Sequence, residues 1–353
     1  MAGKIPATII TGFLGSGKTT LIRHLLTHAR GRRIALIVNE FGDLGIDGEL
    51  LRGCSDACGE EDIVELANGC ICCTVAEDFL PTMERLLERD EAPDHIVIET
   101  SGLALPQPLV RAFNWPTIAT RVTVDGVVTV VDGPAAAEGR FAHDLAAIEA
   151  QRRADENLDH ETPLSELFDD QLACADMVVI AKADLMAPAD LEALTGRLAA
   201  RVRPGVRLLS AARGALPPEV VLGIGAGAEA DLEARAELHH HHHHDDDDDH
   251  HDHEHEHGHD AFESFVLDRP EIEDPRAFAA RLAEVIRAHG ILRLKGFAAV
   301  RGKPMRLAIQ AVGPRVEHWF DRPLGPGEPR EARLVVIGES GLDRDAIAAA
   351  LAA

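Results

Sequence analysis

Along the first two thirds of the chain, apolar residues gather in short continuous runs rich in β-branched side chains. The runs lie at 7–11, 34–39, 96–99, 127–131, 177–180 and 206–209. Each is followed by a polar or glycine-rich turn and then by a stretch with helical spacing. After the first run, Leu21, Ile22, Leu25 and Leu26 mark one face of a helix over 19–29. Runs without a polar face suit strands buried on both sides. Alternation of such strands with helices predicts a mainly parallel sheet covered by helices, an α/β domain over 1–225.

The rhythm stops at 239–260, where the chain holds twelve histidines, nine acids, one glycine and no lysine or arginine. Such a segment cannot bury a core, so 226–260 is expected to be a flexible His/Asp-rich linker. Beyond it, 261–353 reads as a smaller α+β domain. Strands are predicted at 262–267, 292–300, 305–312 and 333–337, with helices at 274–289 and 343–353. No internal repeat is visible.

Composition narrows the classes of partner. With 353 residues, 46% of them hydrophobic, the chain can build two cores, but Phe 11, Trp 2 and Tyr 0 leave those cores to Leu, Ile, Val and Ala. A formal net charge of -25 repels phosphate backbones and anionic headgroups, which argues against nucleic acid and membrane as partners. No apolar run approaches the roughly 18 residues of a bilayer span. The N-terminal apolar stretch runs into a glycine-rich loop without a small-residue cleavage site, so a cytoplasmic location is expected. The cysteines are Cys54, Cys58, Cys70, Cys72, Cys73 and Cys174. Three within four positions are too close for a disulfide framework and, in a reducing compartment, read as metal ligands or reactive groups.

The first chemical signal is Gly12-Phe13-Leu14-Gly15-Ser16-Gly17-Lys18-Thr19, followed by Thr20. It fits the phosphate-binding pattern G-x-x-x-x-G-K-[ST] and sits between a predicted strand and a predicted helix. Gly12, Gly15 and Gly17 let backbone N–H groups curl around phosphates, and the helix N-terminus adds its positive dipole end. Lys18 is expected to reach the β- and γ-phosphates, and the Thr19 hydroxyl to complete a Mg²⁺ shell. Ser16 and Thr20 belong to the same cradle. The strand at 96–99 ends in Glu99, a second acidic group for Mg²⁺ or its waters. Gly102, three residues on, can contact a γ-phosphate and move when it leaves.

The base is chosen elsewhere. Ile180-Ala181-Lys182-Ala183-Asp184 resembles the N-K-x-D guanine motif, with Ala181 in place of the usual Asn. A carboxylate at Asp184 accepting from both guanine N–H groups would reject adenine, so GTP is favoured over ATP. Lys182 is expected along the base plane, and Ser210 to offer a backbone contact to the guanine oxygen. The second strong signal is Gly69-Cys70-Ile71-Cys72-Cys73-Thr74. Its three thiols can offer two or three sulfurs to one soft or borderline cation. Cys54 and Cys58 read as spare thiols in a solvated loop, and Cys174 as a packed residue.

Together these motifs resemble the CobW/HypB/UreG family of P-loop GTPases: GFLGSGKTT, NEFGDLGIDG at 39–48, GCICCT, the Glu99-Thr-Ser-Gly strand end and the His-rich linker. The likeness extends over nearly the whole chain and is greatest to the family's cobalamin-biosynthesis members. It implies a slow hydrolysis of GTP to GDP and phosphate, with Lys18 and Glu99 as catalytic residues. It also implies that Cys70, Cys72 and Cys73 carry a trafficked metal, Co²⁺ or alternatively Zn²⁺, and that Glu40 touches this metal or Mg²⁺. The recipient would be a cobalt-accepting protein of corrin biosynthesis, with a cobaltochelatase suspected, and the chain could form a homo-oligomer. Mg²⁺ and GTP would order Asn39–Asp47 and the Gly102 turn and close the thiol site, and hydrolysis would loosen it and release the metal. The rivals are a nucleotide-independent metal buffer and a P-loop kinase. The histidine tract is expected to collect divalent cations at several exchanging sites rather than to select among them.

Overall fold

The computed structural model describes residues 4–29, 31–39, 63–66, 79–89, 91–154, 163–230, 262–313, 315–325 and 327–352. The chain divides into two compact units, Met1–Asp249 and His250–Ala353.

In the first unit the main described elements, short helices of five residues or fewer aside, are β1 (Ile5–Thr11), α1 (Lys18–His28), β2 (Ile34–Asn39), β3 (Ile63–Leu66), α2 (Leu80–Leu87), β4 (His95–Glu99), α3 (Pro106–Ala112), β5 (Val122–Asp132), α4 (Leu145–Ala154), α5 (Leu164–Cys174), β6 (Met177–Ala181), α6 (Pro188–Ala199) and β7 (Arg207–Ala211). The strands form one sheet in the order β3-β2-β4-β1-β5-β6-β7, and every pairing is parallel. Every residue of β4 and β6 is buried, as happens when both faces of a sheet are covered. Ile9, Ile37 and Ile98 pack with Met83 of α2 and with Leu109 and Phe113 at α3. Val131, Val178 and Ile180 pack with Phe168 and Leu172 of α5 and Leu194 of α6. The predicted α/β architecture is therefore present, with one strand more than the six predicted.

The additional strand, β3, is only four residues, IVEL, with a glutamate inside it. The other difference is the start of β5, predicted at 127 and found at Val122. Asp125-Gly126 interrupts the apolar run and reads as a turn. In the fold, however, Asp125 is buried and its carboxylate accepts the backbone N–H groups of Gly223, Ile224 and Gly225 at 2.6–2.8 Å. Thr8 donates to the same carboxylate at 3.1 Å, and His95 lies 2.8 Å from the Thr8 hydroxyl as a buried packing residue. With its partners supplied, the acid continues the strand instead of ending it.

Residues 226–230, placed in the linker by composition, are part of the first unit. Ala226 and Ala228 are buried, and the Glu229 carboxylate accepts from the Thr123 hydroxyl at 2.6 Å and from the Val124 N–H at 2.9 Å.

The second unit contains β8 (Phe262–Pro270), α7 (Pro275–Ala288), β9 (Arg293–Ala299), β10 (Met305–Val312), β11 (Arg315–Pro323), β12 (Glu331–Glu339) and α8 (Arg344–Ala352). Its sheet is antiparallel in the order β11-β10-β9-β12-β8. Phe278, Leu282 and Ile286 of α7, with Ile347 and Leu351 of α8, pack on Leu294, Leu307, Ile309 and Leu334. The predicted α+β class holds, with β11 as an unpredicted edge strand.

Candidate functional site

β1 lies between β4 and β5, so the loop at its C-terminal end is flanked by the ends of both neighbours. This loop is the 12–19 segment. Gly12, Gly15 and Gly17 have φ of +134°, +71° and +108°. At Gly12 a side chain is excluded twice over, because a Cβ would also stand 2.1 Å from the Val130 carbonyl oxygen on β5. Phe13 anchors the loop from below, its ring 5.9 Å from that of Phe141 and 6.1 Å from that of Phe168. α1 then starts at Lys18 with no side-chain cap at Gly17, which leaves N–H groups of its first turn available to an anion.

Lys18 folds back over the loop, its Nζ donating to the Gly12 carbonyl at 2.7 Å and to the Phe13 carbonyl at 3.3 Å. The Thr19 hydroxyl donates to Glu99 Oε1 at 3.3 Å, so the last residue of β4 meets the first turn of α1. Glu99 is buried. Three other buried hydroxyls nearby, on Thr11, Ser16 and Thr100, have no hydrogen-bond partner among the described residues. Buried polar atoms are normally satisfied. The donor set left here, hydroxyl and carboxylate oxygens beside a positive helix end, fits a phosphate chain with a hard cation such as Mg²⁺.

Gly102 meets the same loop, and a Cβ there would lie 2.6 Å from the Leu14 nitrogen. This turn is held from behind. Gln171 of α5, fully buried, donates from Nε2 to the carbonyls of Gly102 and Ala104 at 3.1 and 3.3 Å.

The far end of the cradle is built from β5, β6 and β7. Ala181 packs on the loop directly: a Cβ on Gly17 would be 3.2 Å from Ala181 Cβ. Lys182 adopts φ +59°, and its Nζ donates to Asp132 Oδ2 at 2.6 Å. Asp132, buried at the end of β5, also caps the short helix after it by accepting the Ala135 N–H at 3.2 Å. Asp184 accepts the Arg213 N–H at 3.2 Å. Ser210 lies within β7 opposite Ile180. The segment that reaches α1 comes just after it, at Gly214, where a Cβ would stand 3.0 Å from the Thr20 carbonyl oxygen.

The fold thus gathers Gly12 to Thr20, Glu99 and Gly102 around one loop, and brings Lys182 and Asp184 to the adjacent strand ends. Sequence reasoning passed over Asp132 and Gln171. Asp132 carries a signal, an acid ending a buried strand just as Glu99 does. Gln171 carries none, being one polar residue in an amphipathic helix. Cys174 is buried, as expected of a packed residue. Glu40, Cys54, Cys58, Cys70, Cys72, Cys73 and the histidine tract lie outside the described residues. Among the described residues no group of three or more His, Cys, Asp or Glu could hold a metal ion, and no helix is long and apolar enough to cross a membrane.

Comparison with known proteins extends this picture. The family model for the CobW/HypB/UreG nucleotide-binding domain matches residues 6–209, and that for the cobalamin synthesis protein cobW C-terminal domain matches 262–353. A protein from a Sinorhizobium species, named zinc chaperone CobW, is 55% identical over 99% of this chain and 97% of its own. Its namesake from Pseudomonas aeruginosa is 52% identical over 98% of this chain and 90% of its own. Among solved structures, Zn(II)-bound YjiA GTPase from E. coli aligns over 99% of both chains with a TM-score of 0.42 and 22% identity.

Proposed function

The chain belongs to the CobW/HypB/UreG family of P-loop GTPases, and from that premise we propose that it is a GTP-dependent zinc chaperone. The observation that carries the reading is the joining of Thr19 to Glu99 beneath a P-loop whose Lys18 is already folded over it. The sequence reading preferred cobalt on whole-chain likeness alone. The relatives that share this likeness at 52–55% identity are named zinc chaperones, so the same argument supports zinc. On this reading the recipient is a zinc-requiring apoprotein; the cobalt-accepting protein of corrin biosynthesis expected from the sequence would be the recipient if the cargo were cobalt.

In this reading the backbone N–H groups of 12–19 bind the phosphates, and Lys18 offsets charge on the β/γ oxygens. Thr19 and Glu99 hold Mg²⁺, which when bound supplies further charge neutralisation at those oxygens. Hydrolysis forms a bond from a water oxygen to the γ-phosphorus and breaks that phosphorus's bond to the bridging oxygen, giving GDP and phosphate. Asp184 reads the guanine N–H groups, and Lys182, positioned by Asp132, lies beside the base. Ser210 contributes a backbone contact to the guanine oxygen. Cys70, Cys72 and Cys73 carry the zinc as thiolates, with Glu40 as a further oxygen ligand. Gly102 links the two events by contacting the γ-phosphate when it is present and withdrawing when it leaves.

Coupling of this kind is reciprocal and is typically worth about 1–3 kcal/mol, or roughly 5–150-fold in affinity. The test is a chelator-competition titration of Zn²⁺, and separately of Co²⁺, with a non-hydrolysable GTP analogue, with GDP and without nucleotide. Tighter Zn²⁺ binding with the analogue than with GDP is expected. Equal affinities in all three states would make the chain a metal buffer, and nucleotide-dependent tightening confined to Co²⁺ would return the cargo to cobalt.

A further inference from the structure

α1 carries two histidines that no phosphate chemistry uses. His24 and His28 stand at i and i+4, so they share one face of the helix. Their rings stack with centroids 4.0 Å apart and an interplanar angle of 25°. His24 is half-buried and His28 exposed. Counted from Lys18, the pair lies ~9 to 15 Å along the helix axis, well removed from the Thr19–Glu99 end.

The ring nitrogens are organised. His28 Nδ1 lies 2.8 Å from the His24 carbonyl oxygen. A carbonyl only accepts, so Nδ1 carries the proton and the lone pair of the neutral imidazole is left on Nε2. Imidazoles that ligate metals are oriented in this way, with the second nitrogen donating to a carbonyl or carboxylate. Burial of His24, with the neighbouring His28 adding to it, holds the His24 pKa below its ordinary value of 6.5 and so favours the uncharged ring. His28 also sits in the last turn of α1, where the negative end of the helix dipole favours a cation.

We infer that His24 and His28 form an exchangeable site for a divalent transition cation such as Zn²⁺, on the flank of the GTPase unit. Two imidazoles at this helical spacing form the protein half of a tetrahedral shell, in which each ligating nitrogen stands ~2.0–2.1 Å from the ion. Water completes the coordination, and a site with open positions passes its ion on readily. The inference stands apart from nucleotide gating, because it requires neither GTP nor the thiols.

Histidine modification by diethyl pyrocarbonate, read residue by residue by mass spectrometry, tests it in the full-length protein without nucleotide. The residue-level reading keeps the tract separate, and His143, exposed and remote in sequence, serves as the internal reference. As ZnCl₂ is added, His24 and His28 should become protected together at one midpoint while His143 continues to react. His28→Ala should abolish the Zn²⁺ protection of His24. Cys70→Ala with Cys72→Ala and Cys73→Ala should leave the paired protection intact, which distinguishes failure here from failure of the zinc-chaperone reading. Unchanged reactivity of the pair in saturating ZnCl₂, or protection of His24 that survives His28→Ala, overturns the assignment.

Discussion

At the scale of single residues, Ala181 poses a sharp question, since a GTPase normally places an asparagine there to tie loops around the base. Here the small side chain lets β6 close against Gly17 of the P-loop, and the tying is done by Asp132. Its ion pair with Lys182 fixes an amine on a residue whose own backbone is in the left-handed region, a conformation that a non-glycine residue adopts only at some cost. Asp132→Asn keeps a good helix cap but loses the charge that holds Lys182. A hydrogen bond involving a charged partner is worth about 1.5–3 kcal/mol, so the KM for GTP should rise by about tenfold or more while kcat at saturation stays near that of the parent. Steady-state phosphate release checks this. An unchanged KM would mean that Lys182 needs no such support.

At the scale of elements, the P-loop, the Glu99 strand end and the α1 face were legible because each rests on local pattern: glycines at fixed offsets, an apolar run, helical spacing. What could not be read was an element whose polar residues are satisfied from far away. Asp125 looks like a turn until the amides of 223–225 arrive, nearly a hundred positions later. β11 (RVEHWFDRP) looks like a loop because an edge strand of an antiparallel sheet presents charges to water. Gln171 belongs to the same class, and its effect is testable. Gln171→Ala removes both donors from the Gly102 turn and should cost roughly 1–3 kcal/mol in denaturant unfolding. Gln171→Met restores volume without donors. If the clamp rather than the packing matters for nucleotide, the KM for GTP stays raised in the methionine variant, and recovery of the parent KM refutes the clamp. In the second unit, Glu328 accepts from Arg322 through both carboxylate oxygens at 2.7 and 2.9 Å, and from the Gly325 N–H at 2.7 Å. The Arg322 guanidinium foremost, then the Gly325 amide, lower its pKa from 4.5 to about 2. The unfolded chain therefore takes up this proton first. The clip contributes to stability above about pH 4.5, and its contribution is lost as pH falls through about 2. Carboxyl NMR should place the Glu328 inflection near 2 and return it towards 4.5 in Arg322→Ala; an inflection already near 4.5 in the parent would remove the clip.

At the scale of the whole molecule, the question is why a chain with a thiolate motif also carries 22 residues of almost nothing but imidazole and carboxylate. Affinity for divalent ions rises along the first-row series towards copper at any nitrogen- or sulfur-rich site, so raw donor density cannot select zinc. A tract that must lose backbone and side-chain entropy at each capture is a poor selector as well. It is suited to supply, because ions held on a tether are presented to a site on the same chain at a high effective concentration. On the proposed function a division of labour follows: the tract would set how many ions are near, and the nucleotide state whether one is kept. Deleting 239–259 should lower the number of Zn²⁺ ions bound per chain and slow loading from dilute zinc, yet leave the tight component and its response to GTP unchanged at equilibrium. Calorimetry against a competing chelator separates these outcomes. Loss of the tight component on deletion would place the selective ligands in the tract, and the P-loop would then gate imidazoles rather than sulfur.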